Sequence, residues 1–136
     1  MDALSCALTT PEKKVYEGPV RFVVVPATDG ELGILPRHAP LVSSLGFGEL
    51  RVDEESGAKR SFFVEGGFLQ VLDDDVSILA ATAVDVNDLD SAAEEASLKE
   101  IASRQPAEGA GLEAKEAHAR SLAVARARLR LAKRAD

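Results

Sequence analysis

Two histidines, a single cysteine and two clusters of acids are the side chains here with the types and spacing for chemistry. His38 and His118 fall in different regions, and neither has a Cys or His neighbour at metal-ligand spacing. Cys6 has no nearby base and no second cysteine to pair with, so it reads as a buried strand residue rather than a nucleophile or half of an internal disulfide. No Gly-x-Ser-x-Gly elbow occurs. Gly46-Phe47-Gly48 is too short for a phosphate loop, and there is no Gly-x-x-x-x-Gly-Lys-Ser/Thr run. The clusters Asp53-Glu54-Glu55 and Asp73-Asp74-Asp75 have the charge to hold a cation, but their place between apolar runs reads as solvated hairpin turns. The sequence offers no catalytic centre and no metal site.

One segment stands apart from ordinary strand sequence: Asp29-Gly30-Glu31-Leu32-Gly33-Ile34-Leu35-Pro36-Arg37-His38-Ala39-Pro40-Leu41. Two glycines and two prolines between Gly30 and Pro40 imply a stiff, shaped loop that presents Glu31, Arg37 and His38. Such a loop on a rigid scaffold serves binding well, because little entropy is lost on docking. A structural corner explains the same residues, and the residues themselves leave both readings open.

The elements that must carry this loop change character along the chain. From Leu4 to about Val86, short apolar segments alternate with Gly, Pro and acidic turns. Val20–Val25, Ser61–Val64, Phe68–Leu72 and Val76–Ala80 are strand candidates, and Gly66-Gly67 suits a bulge. Short strands without helical intervals indicate a small β-sandwich or barrel. Beyond Asp85 the signals become helical. Ser91-Ala92-Ala93-Glu94 has capping-box spacing, and helix formers continue to Arg104 with Leu98, Ile101 and Ala102 on one face. Gln105–Gly111 holds a proline and two glycines, a stop and turn. A second helix runs from Leu112 to about Arg134, with Leu122, Ala125, Leu129 and Ala132 as a narrow apolar stripe and Arg126, Arg130 and Arg134 every four residues on another face. The expected domains are residues 1–86 and 87–136. Ala-rich helix faces bury little area, so the hairpin is expected to be weakly held and free to move.

Composition limits the function classes. At 46% hydrophobic and 29% charged, the chain is ordinary for a folded domain and unlike a disordered one. No apolar run approaches the roughly 18 residues of a membrane span, and no secretory signal is visible at Met1–Cys6, which together with one cysteine suggests a reducing setting. The net charge of −7 hides a division: residues 112–136 hold seven Lys/Arg against three acids, while residues 1–111 carry −11. A basic tail on an acidic body suits an acidic protein surface. Nucleic acid would be repelled by most of the molecule, although a nucleic-acid binder using the basic helix, and a stand-alone binding module, are the competing readings.

The run Gly30-Glu31-Leu32-Gly33-Ile34-Leu35-Pro36-Arg37-His38-Ala39-Pro40-Leu41 resembles the signature of ε subunits of bacterial and chloroplast F-type ATP synthases. Its flanks are similar as well: Leu8-Thr9-Thr10-Pro11-Glu12, Val23-Val24-Val25-Pro26-Ala27, Gly48-Glu49-Leu50-Arg51-Val52 and Phe63 to Val71 keep the family's order, so the resemblance covers about Ala3 to Asp90. It implies a mainly β fold with α: an N-terminal ten-stranded β-sandwich followed by a C-terminal antiparallel two-helix hairpin. It implies a non-catalytic central-stalk subunit at the cytoplasmic face of a bacterial membrane, peripheral and bound only through the complex. Its partners would be the γ subunit, the ring of c subunits and, through the helices, the α and β subunits, with no nucleic acid. By the same resemblance, Glu31, Leu32, Gly33, Ile34, Pro36, Arg37, His38, Ala39 and Pro40 would face the c-ring. Phe68 would face γ or join the core. Arg126, Arg130 and Arg134 would either contact β in an inhibited state or form a solvated face. Some relatives bind ATP through an Ile/Leu-Asp-x-x-Arg-Ala motif. Here Leu89-Asp90 is kept but Ala93 stands at the arginine position and Glu94 follows, so no nucleotide cofactor and weak or absent ATP binding are expected. No metal is implied.

Overall fold

The computed structural model describes residues 3–135, which form two compact units divided between Asp85 and Val86. The first unit is all β. Its strands are β1 (Leu4–Thr9), β2 (Lys14–Ala27), β3 (Gly30–Ile34), β4 (Leu41–Ser44), β5 (Phe47–Glu54), β6 (Lys59–Leu72) and β7 (Asp75–Asp85). The hydrogen-bonded order β1-β7-β6-β5-β2 closes on itself through a β1–β2 pairing, with β3 added to β2 and β4 to β6. All pairings are antiparallel except β1 with β7. Closure leaves few unpaired edges, which protects a small β unit from pairing with its own copies.

The count among the described residues is seven strands, not ten. Three strands are long, and two of them change partner part-way. Along one edge β2 pairs first with β1 and then with β3; β6 passes from β5 to β4; β7 pairs with β1 only over Asp75–Leu79. A strand that bends between layers serves both without breaking, so the fold closes with fewer strands than the ten expected.

Period-two burial builds one core. Leu4, Cys6 and Leu8 point inward from β1, Val76, Ile78 and Ala80 from β7, and Val23, Val25, Leu50, Val52 and Phe62 are among those that join them. The inward face of β6 is Phe62 and Val64 before Gly66-Gly67, and Leu69 and Val71 after it. The inward parity therefore changes across the glycines. Gly67 has φ +116°, and a Cβ there would lie 1.9 Å from the Leu79 carbonyl oxygen, so only glycine fits this bend.

The acidic cluster at residues 53–55 differs from expectation. Asp53 and Glu54 lie in β5; Asp53 is 8% exposed and Glu54 accepts a 2.7 Å hydrogen bond from the Tyr16 hydroxyl. The turn begins later, at Glu55, with Gly57 at φ +98°. The Asp73-Asp74 pair does form a two-residue hairpin loop, both residues having positive φ as a type I′ turn requires.

The second unit comprises a 3₁₀ turn (Val86–Asp88), α1 (Ser91–Ser103) and α2 (Leu112–Ala135). Asp90, not Ser91, caps α1: its carboxylate accepts from the Ala92 N–H at 3.1 Å. Glu94 near the start of α1 meets Arg128 late in α2, so the helices are antiparallel. Ser91, Glu94, Leu98 and Ile101 form a half-buried stripe on α1, which has no fully buried residue, and Ala102 is exposed. On α2 the buried residues are Ala125, Ala127, Leu131 and Ala132, while Leu122 and Leu129 are half-buried. The predicted α2 stripe is thus rotated toward Ala127 and Leu131.

Candidate functional site

Three surface features carry the functional groups. The first is the end turn after β3. The predicted loop is half strand, because Glu31–Ile34 pair with Val23–Pro26 of β2. Ile34 is fully buried in the core, so its side chain is not available to another molecule, and Leu32 is half-buried against the same core. Glu31, at the start of β3, lies within 3.7 Å of Arg51. It stands ~10 Å from Ile34 along the strand, so it is not part of the turn that follows. That turn is Leu35-Pro36-Arg37-His38, closed by the His38 N–H donating to the Leu35 carbonyl at 3.2 Å. Proline at its second position and φ +67° at Arg37 make the type II arrangement, which normally places glycine where Arg37 stands. The Arg37 N–H donates to Asp74 Oδ1 at 2.6 Å, and His38 Nδ1 lies 2.7 Å from the Ala39 carbonyl. Gly33, Ala39 and Pro40 are exposed, and Pro36 is half-buried.

The second feature is an apolar face. Phe68 on β6 pairs with Leu79 on β7 and Ser44 on β4; Val42 pairs with Gln70, which pairs with Ser77. Cross-strand partners share a face, so Val42, Phe68 and Leu79 are outward neighbours, continued by Leu72. They are 71%, 60%, 55% and 47% exposed. The parity change at Gly66-Gly67 turns Phe68 outward; unbroken alternation from Phe62 would have buried it.

The third feature lies on the helices. Arg126, Arg130 and Arg134 are exposed at one-turn spacing. Sequence reasoning missed Arg128, which is half-buried and binds Glu94 through two hydrogen bonds of 2.8 and 3.3 Å. The signal was present only as a carboxylate in the first turn of one helix and an arginine late in the other. Asp90 is used as the cap and Ala93 is exposed.

Elsewhere the chemistry is quiet. Burial in the core, aided by the Asp75 charge, pushes the Cys6 thiol up to about 12, leaving it protonated and inert. Burial, then the Glu54 hydrogen bond and charge, pushes the Tyr16 phenol up as well. A shallow cleft of about 140 Å³ is lined by Phe22, Arg51, Asp53, Lys59 and Ser61 among others, and Arg21 reaches Asp53 at 3.4 Å. Among the described residues there is no group of three or more His, Cys, Asp or Glu able to hold a metal, and no helix long and apolar enough to cross a membrane.

A closed β unit with a bare apolar face and a shaped end turn is built to meet another macromolecular surface. The comparisons agree with that class. The family described as "ATP synthase, Delta/Epsilon chain, beta-sandwich domain" matches residues 3–86. The chain is 42% identical over 93 residues to the ATP synthase epsilon chain of Alkalilimnicola ehrlichii, covering 68% of this chain and 66% of that protein. It is 38% identical to the epsilon chain of Teredinibacter turnerae over 128 residues, 93% of this chain and 90% of the other. A chain in the structure of Euglena gracilis mitochondrial ATP synthase, OSCP/F1/c-ring, shares the fold with TM-score 0.79 and 24% identity, over 93% of this chain and 79% of that one. The chain therefore belongs to the delta/epsilon family of ATP synthase, among its epsilon chains.

Proposed function

We propose that this chain is the non-catalytic central-stalk subunit that couples rotation of a c-ring to the catalytic head of a proton-translocating ATP synthase. It sits at the cytoplasmic face of a bacterial membrane and is held there only through the complex. The β unit is the rotor anchor and the helical unit restrains ATP hydrolysis. The observation that carries the reading is the exposed apolar row Val42, Phe68, Leu79 and Leu72 on one face of a closed β unit. Such a row gains free energy when another protein covers it, and the γ subunit is the partner we assign. The turn Leu35–Pro40, with Glu31 further along β3, faces the c-ring. Arg126, Arg130 and Arg134 supply cations for acidic surfaces of α and β.

Nucleotide is not part of this regulation. The residue at the motif's arginine position is Ala93, Asp90 is spent as a cap, and Glu94 already holds Arg128 where an anionic phosphate would need a free cation. A micromolar dissociation constant for ATP on the isolated chain would contradict this.

The test is ATPase activity of the purified catalytic complex with the full chain or one truncated after Val86. The β unit has its own complete core and is expected to stay bound. Hydrolysis rising several-fold on truncation supports the brake; unchanged hydrolysis removes it and leaves a coupling role. Failure of the full chain to bind overturns the reading.

A further inference from the structure

The end turn has a backbone problem that its own residues do not solve. The third position of the Leu35–His38 turn has φ +67° and is occupied by arginine, whose Cβ disfavours the left-handed region. The Arg37 N–H is hydrogen-bonded to a residue outside the turn. The acceptor is Asp74 Oδ1, at 2.6 Å, from the β6–β7 hairpin loop 37 positions further along the chain. Asp74 is itself fixed. It occupies the second place of a type I′ loop at φ +62°, and its carbonyl accepts from the Ser5 N–H at 2.9 Å, tying the loop tip to β1. The carboxylate is therefore delivered by three strands to one amide.

We infer that Asp74 is the positioning residue of the end turn: its carboxylate holds Arg37 in a conformation that glycine would otherwise supply, and so sets how Leu35, Arg37 and His38 are presented. The hydrogen bond is charge-assisted and short, and it acts on the residue of the end turn whose conformation is disfavoured. Its importance for binding rests on the proposed rotor-facing role of the turn. Its structural part does not.

The test uses the full chain. Amide exchange at Arg37, resolved by NMR, is compared for the parent, D74A, D74N, R37G and the R37G/D74A pair, and each is titrated against a purified γ–c-ring rotor. D74A is expected to speed Arg37 exchange and weaken rotor binding by about ten-fold each, and D74N, which keeps an acceptor oxygen, by less. Glycine adopts φ +67° without strain, so D74A in the R37G background is expected to cost no binding beyond R37G alone. Unchanged Arg37 exchange in D74A overturns the inference, as does a full D74A loss persisting in the R37G background. Faster exchange with undiminished binding overturns its part in binding, and L35D then separates the causes. If L35D weakens binding, the rotor-facing reading survives and only the positioning role fails; if it does not, the turn does not face the rotor.

Discussion

The two units of this chain are stabilised in different ways. In the β unit, burial falls on Leu, Val, Ile and Phe from six strands, and closure makes each of β1, β2, β5, β6 and β7 depend on at least two others. In the helical unit, three of the six buried residues are alanines, α1 buries nothing fully, and a leading polar tie is the Glu94–Arg128 pair. Apolar area buried per residue is therefore small in the helices, at roughly 25 cal/mol per Å². Under the proposed function a rotor anchor must not open whereas a regulatory element must, and the two units differ accordingly in which side chains they bury.

The sharpest break of this comparison is Gly67→Ala. A Cβ cannot fit 1.9 Å from a backbone oxygen, so the substitution is expected to destabilise the β unit by about 3 kcal/mol or more, seen as a large fall in thermal midpoint by circular dichroism. A midpoint within a degree of the parent would show that the bend is not a keystone.

Alkaline pH probes the same core. Folding favours the neutral Cys6 thiol, since its pKa rises from 9.0 to about 12. Its contribution is fully present below pH 9 and is lost as pH climbs toward 12, on the order of 2 kcal/mol by pH 11. Tyr16 shifts in the same direction. The β-unit midpoint should fall between pH 9 and 11, and Cys6→Ala should flatten that slope.

The helical unit should respond locally. Leu131→Ala removes one of its two largest buried side chains and is expected to cost about 2 kcal/mol. Hydrogen exchange should accelerate across α1 and α2 while β-strand amides keep their protection. Equal acceleration in the strands would mean the two units open together.

Glu94→Gln is the mildest change, at about 1 kcal/mol, because the pair is only partly screened from water. The swap E94R/R128E should recover most of the loss. If it recovers none, the pair is incidental to hairpin closure.

Much of the architecture was legible in local sequence. The positive-φ needs of Gly57 and Gly67, the type I′ pair Asp73-Asp74 and the break at Gln105–Gly111 all rest on residues within a few positions of one another. The helix boundaries were read almost to the residue, and the cap was missed by one, because Asp90 and Ser91 both suit it. What remained hidden depends on distant partners. Asp53 became buried because β5 extends one residue pair further against β2 and β6 than its acidity suggests. Leu131 rather than Leu129 was buried because helical periodicity leaves the face ambiguous until a partner helix is placed.

By itself the sequence determined the division into a β region and a helical pair, the rigid turn, and the absence of any residue pattern for catalysis, since all of these follow from short-range sterics, propensity and side-chain chemistry. Only the tertiary structure decided the parallel pairing of β1 with β7, the outward turn of Phe68, the Glu94–Arg128 tie and the reach of Asp74 to Arg37. Each joins groups far apart in the chain, and the register that brings them together is set by closing the whole sheet around one core.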